Sequence, residues 1–260
     1  MNILVIIMVA GFMVGLVLVL RVFTSWGRRW GATPAECARR MIGDAYLDGG
    51  PATRISMTRA VSLNKPPQTV WPWLAQLGRG AGWYSIERLD NGGKTSARHI
   101  VSWIPAPQLG DAAAIGYLRY LEPGRELVWW LGGEQWLGSR VRMVVNILVM
   151  PRQEGSRLII RISGDAAGST ARLAIGVFQL VDTIMARRQL LGIKERVERY
   201  GARPVDLDQP ETGRGDQYQL YEIIYASGKR AGVAGKEKAA SWRRMAIEDK
   251  ILVQAMAEER

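Results

Sequence analysis

Residues 54–84 read RISMTRAVSLNKPPQTVWPWLAQLGRGAGWY, and the change of period inside this stretch decides the fold. Ile55, Met57, Val61 and Leu63 fall on one side of an extended chain, interrupted by Arg59, while Arg54, Ser56 and Thr58 fall on the other. Such alternation predicts a half-buried strand from Arg54 to Leu63. Asn64-Lys65-Pro66-Pro67 stops it, since proline lacks the N–H a sheet needs and is pre-set for the first turn of a helix. A helix should follow from Gln68 to Leu77, ended by Gly78. A second short helix, from about Ser85 to Leu89, ends at Asn91-Gly92-Gly93.

Downstream, period two returns. Gly116–Leu121 and Glu126–Leu131 flank a Pro123-Gly124 turn. Arg140 to Met150 sets Val141, Met143, Val145, Ile147 and Val149 on one face and Asn146 on the other. Leu158, Ile160 and Ile162 return antiparallel after a polar loop, Pro151 to Ser156. These strands predict an antiparallel sheet with one buried face. From Ala171 to Tyr200 the spacing becomes three and four: Leu173, Val177, Leu180, Val181, Ile184 and Leu191 form the stripe of one long amphipathic helix, which should face the sheet. Gly201 and Pro204 end it. The fold class is α+β.

Upstream, Ile3 to Leu20 carries no charge. At about 1.5 Å per residue it reaches about 27 Å, close to the ~30 Å hydrocarbon core of a bilayer. No Ala-x-Ala cleavage site closes the run, so a retained anchor over 1–23 is expected. Arg21, Arg28 and Arg29 follow it, and only the amino terminus is positive before it. That asymmetry predicts a single-pass protein of the inner (cytoplasmic) membrane, with its N-terminus outside and the rest of the chain in the cytoplasm. Trp26 and Trp30 suit the interface, and Gly11 and Gly15 form a Gly-x-x-x-Gly pattern on which another membrane helix could pack. Residues 24–53 read as a connector, in which Thr33-Pro34-Ala35-Glu36 starts a short helix.

The formal charge is +11, with clusters at 21–40, 187–203 and 229–244. Beside anionic headgroups each Lys or Arg is worth about 1 kcal/mol, so the bilayer is the expected partner. No helix-turn-helix, zinc-finger or aromatic RNA-binding signature supports nucleic acid instead. Residues 201–260 form a basic extension with a terminal helix expected from about Lys236 to Glu258, whose thin apolar stripe calls for a partner surface.

The order strand, two short helices, antiparallel strands and one long C-terminal helix resembles the START-like, or SRPBCC, superfamily, which includes polyketide cyclase/dehydrase-like and lipid-transport proteins. Residues 59–84 are similar to a bacterial branch in which a Pro-Pro-x-x-Val-Trp-Pro-Trp-Leu helix precedes a Gly-Gly-Trp/Phe-Tyr-Ser turn. Ala97–Val101, Leu109-Gly110-Asp111 and Leu190-Leu191-Gly192-Ile193-Lys194 also resemble that branch. One departure is Arg98-His99, where the family often has Asp-Arg before Ile-Val. The resemblance covers roughly 54–200. It implies a helix-grip fold, a curved sheet wrapped around the long helix with an apolar cavity between them. On that basis the pocket candidates are Trp73, Trp83, Tyr84 and Trp129, with Val141, Met143, Val145 and Ile147 from the sheet and Val177 and Ile184 from the helix.

His99 is the single histidine and Cys37 the single cysteine, so neither a multi-histidine metal site nor an intrachain disulfide is available. No Gly-x-Gly-x-x-Gly or Walker loop follows a strand, so no nucleotide cofactor is expected. No acid–base constellation stands out. Two functions fit: a membrane-tethered binding module for a lipid, isoprenoid or polyketide-like molecule, or an accessory subunit of a larger membrane complex.

Overall fold

The computed structural model describes residues 3–49, 54–102, 104–113, 115–136, 139–166, 169–202 and 204–205. The helix expected over 236–258 and the basic cluster at 229–244 lie outside them.

Helix α1 spans Ile3–Gly27, and Ile7–Gly27 is long and apolar enough to cross a membrane; its most apolar stretch is uncovered by the rest of the chain, and its C-terminal end at Gly27 meets the domain. Nothing between Arg21 and Gly27 breaks a helix, and the Thr24 hydroxyl is absorbed by donating to the Leu20 carbonyl at 2.8 Å. Helix α2, Pro34–Ala38, has the expected start: Thr33 Oγ1 accepts from Glu36 N, and the Glu36 carboxylate accepts from Thr33 N. A 3-10 helix follows at Ile42–Leu47.

Strand β1 covers Arg54–Leu63, as the alternation requires. Helices α3 (Pro67–Ala75) and α4 (Glu87–Asp90) come next, then β2 (Ile100–Val101) and β3 (Ala112–Ala113). The large strands are β4 (Gly116–Glu122), β5 (Glu126–Trp136), β6 (Ser139–Arg152) and β7 (Gly155–Ala166). Helix α5 (Ser169–Tyr200) and β8 (Pro204–Val205) close the described chain. The main sheet runs β1-β7-β6-β5-β4-β3, every neighbour antiparallel, while β2 and β8 pair in parallel. The β6–β7 turn is tighter than the expected Pro151–Ser156 loop. Arg152 pairs with Gly155, whose φ of 95° suits glycine, so only Gln153 and Glu154 lie outside the ladder.

Both faces of the sheet are covered, which corrects the expectation of one. The inner face packs Val61, Leu63, Leu127, Trp129, Val145, Ile147, Leu158 and Ile160 against α3 and against Leu190, Ile193 and Val197 of α5. On the outer face, Val128, Trp130 and Val144 meet Leu47, and Ala60, Leu148 and Ile159 meet Met41. Residues 32–47 are thus a second layer. Arginines on the outer face hold them down: Arg157 pairs with Glu36, Arg161 with Asp44, and Arg142 donates to the Leu47 carbonyl.

The first half of α5 also differs from expectation. Gln179, Asp182 and Thr183 face inward, and Val177, Val181 and Ile184 are exposed. The reason is a charge: Arg59 projects from the inner face of β1, fully buried, and requires Asp182 opposite it.

Candidate functional site

The inner face of the sheet, roofed by α3 and the second half of α5, brings together most of the aromatic candidates. Trp73 is fully buried because the Pro-started helix α3 turns it toward the sheet, and its indole N–H donates to the Gly201 carbonyl at 2.7 Å. Its ring meets Tyr84 edge-on, centroids 5.9 Å apart. Trp129, Val145 and Ile147 belong to the same buried cluster, and Trp83 packs against it half-exposed.

Tyr84 is the one non-glycine residue with positive φ (60°) among the described residues. Its carbonyl lies against Gly192 of α5, where a Cβ would have no room. The Tyr84 hydroxyl accepts from Gln76 Nε2 at 2.6 Å, and the Arg196 guanidinium sits 4.7 Å from the ring centre. Burial pushes the phenol above its ordinary range, against the smaller opposing effects of Gln76 and Arg196. Gln76 also donates to the His99 carbonyl and accepts from Val101 N. These groups satisfy one another and fix α3, the Tyr84 turn and β2 as a frame.

Val141 and Met143 continue the inner face of β6 beyond that cluster and are half-buried. Ile162, paired with Val145 across the β6–β7 ladder, is half-buried beside them. Val177 and Ile184 do not join the site; their side chains lie on the outward face of α5. Ile104 and Ile115 also pack half-exposed on the cluster, and nothing in their irregular surroundings signals this from sequence.

At the other candidate surface, Gly11 and Gly15 face open space, Arg21 and Arg29 are exposed, and Trp26 is half-exposed. Arg28 instead donates to Gln179 of α5, and Trp30 packs on the inner cluster with the Arg187 guanidinium 5.3 Å from its ring.

A six-stranded antiparallel sheet with two short helices after its first strand and one long helix after its last has the helix-grip architecture. The fold is an α+β helix-grip. No family model matches the sequence, and no curated protein does. Solved structures that are similar include a Mesorhizobium loti protein (15% identity, 56% of this chain and 98% of that one, TM-score 0.37). An AHSA1-like protein from Rhizobium etli has 18% identity over 61% of this chain and 91% of its own, TM-score 0.33. CalU16 from Micromonospora echinospora has 14% identity over 76% and 91%, TM-score 0.32.

Proposed function

We propose that this chain is a binding module for a hydrophobic small molecule, tethered to the membrane by α1 with its domain in the cytoplasm. The observation that carries the reading is the gradient along the inner face. Trp73, Trp129 and Ile147 form a closed apolar floor, while Val141, Met143, Ile162 and Trp83 are apolar and only half-covered. Half-covered apolar side chains continuous with a core suit an apolar ligand that completes their burial. The polar groups nearby already satisfy one another, which favours a lipid, isoprenoid or polyketide-like molecule over a polar one. The tether is supported by the length of α1, and the orientation by Arg21, Arg28 and Arg29 after it.

The test is uptake of a fluorescent fatty-acid or isoprenoid probe by the full-length protein in mild detergent. Met143→Trp fills the half-covered end and should reduce uptake, whereas Leu89→Trp, at an exposed position on α4, should not. Equal uptake by all three proteins would overturn the reading. One observation favours an accessory subunit instead: Gly11 and Gly15 present an open face on α1, suited to close packing of a second membrane helix. On that reading, Gly11→Leu with Gly15→Leu lowers the native mass of the solubilised assembly in the source cell. An unchanged mass would sink it.

A further inference from the structure

The long helix reverses its polarity half-way along. At about 100° per residue, Gln179, Asp182 and Thr183 lie on the same side as Leu190, Ile193 and Val197, and this side is buried throughout. The opposite side begins with Val177, Val181 and Ile184, which are 57%, 44% and 54% exposed. It continues with Arg188, Glu195 and Arg199, all exposed. The second half therefore obeys the rule for a helix in water, apolar inside and charged outside. The first half inverts it.

Such an inversion fits a helix whose outer surroundings are less polar than the protein it packs on. A bilayer crossed by α1 would supply those surroundings, because α1 ends at this level of α5. Gly27, the last residue of α1, lies against Thr183 with no space for a Cβ, and Arg28 donates to Gln179. Both contacts are made on the inward side of α5, so α1 ends level with the exposed stripe and across the helix from it, where the surface of a bilayer crossed by α1 would lie. Arg29, Arg187 and Arg188 surround this junction, all exposed, and suit anionic headgroups.

We propose that Val177, Val181 and Ile184 enter the acyl-chain boundary of the bilayer that α1 crosses, so that the first half of α5 is an interfacial helix. The proposal rests on the reading of α1 as a membrane span. It makes the bilayer part of the domain's surface, and the domain is seated on lipid by α5.

The test uses the full chain in phosphatidylcholine–phosphatidylglycerol vesicles. Cys37→Ser removes the native thiol, and a nitroxide is attached in turn to Val177→Cys, Val181→Cys, Ile184→Cys, Arg188→Cys and Met13→Cys. Collisions with oxygen, which concentrates in hydrocarbon, are compared with collisions with a water-soluble nickel chelate. The expected result is an oxygen-to-nickel ratio at 177, 181 and 184 severalfold above that at 188 and approaching that at 13. A lipid-like Met13 site with nickel-accessible 177, 181 and 184 would overturn the proposal and leave the anchor standing. Shielding of the three sites from both reagents would also overturn it, since protein then covers the stripe. A nickel-accessible Met13 site would defeat the anchor itself.

Discussion

Arg59 and Asp182 meet at 2.6 Å between the first strand and the long helix, with the guanidinium fully buried. Arg59 Nε also donates to the carbonyl of Gly27, the last residue of α1, at 2.6 Å. One side chain thus joins the sheet, the long helix and the end of the apolar helix, and it places a cation where the α1 dipole favours one. Burial pushes the Asp182 carboxyl upward, and Arg59 opposes that shift.

Removing one partner is the informative change. Arg59→Met leaves Asp182 buried without its cation and the Gly27 carbonyl without its donor, a loss of about 3–5 kcal/mol. Arg59→Met combined with Asp182→Leu replaces the pair by apolar volume and should recover most of that loss. Thermal unfolding in detergent reads both. If the single variant melts with the wild type, the pair does not hold α5 to the sheet.

A second arginine controls the outer layer. Arg161, buried on β7, donates to the carbonyls of Glu36, Cys37 and Arg39, to Asp44 Oδ2 and to Thr58 Oγ1. The first three bonds satisfy carbonyls at the end of α2, which a short helix otherwise leaves open. Loss of one hydrogen bond to a charged group, about 1.5–3 kcal/mol, raises the population of a locally opened segment about ten- to a hundredfold. Cys37 is half-buried in that segment and reports on it. In Arg161→Leu, alkylation of Cys37 by a bulky maleimide should accelerate by up to about tenfold, with part of the gain masked by its existing exposure. An unchanged rate would show that residues 33–47 stay docked without Arg161.

Local signals carried the fold, and long-range pairing did not show in them. The ends of β1 were legible because alternation meets Pro66-Pro67, and the α2 cap because Thr33 and Glu36 stand three apart. Trp129 and Trp130, neighbours in β5, occupy the inner and outer clusters respectively, as the alternation of a strand requires. The sequence around Trp130 could not say that residues 42–47 cover it, nor that Asn146 is fully buried with its Oδ1 accepting from Gly43 N at 2.8 Å. Periodicity located the apolar stripe of α5 but misdirected it: the stripe expected to face the sheet has Val177, Val181 and Ile184 exposed. Its orientation depends on Arg59 and Asp182, 123 positions apart. In the candidate site, the aromatic side chains were legible as large apolar groups at helix and strand positions. The half-buried residues in irregular loops, Ile104 and Ile115, were not.

Glu126 opens β5 on its outer face and is only 5% exposed. Its Oε1 is buried without a hydrogen-bond partner. Burial raises its pKa from 4.5 to about 7; Arg125 opposes the shift and Glu122 adds to it. The folded state therefore prefers the neutral acid, while the unfolded chain ionises near 4.5. Below that value the group costs nothing, and stability falls as pH rises toward 7, where the folded form ionises too. The loss approaches about 3 kcal/mol above pH 7. Glu126→Gln keeps the shape and removes the ionisation. The two proteins should be equally stable at pH 4.5, with the variant ahead by up to about 3 kcal/mol at pH 8. Denaturant unfolding in detergent at both pH values gives this difference directly, because every other titrating group is common to both proteins. A difference that does not grow from pH 4.5 to pH 8 would mean that the Glu126 carboxylate is solvated under residues 32–47 and that this layer is not closed over it.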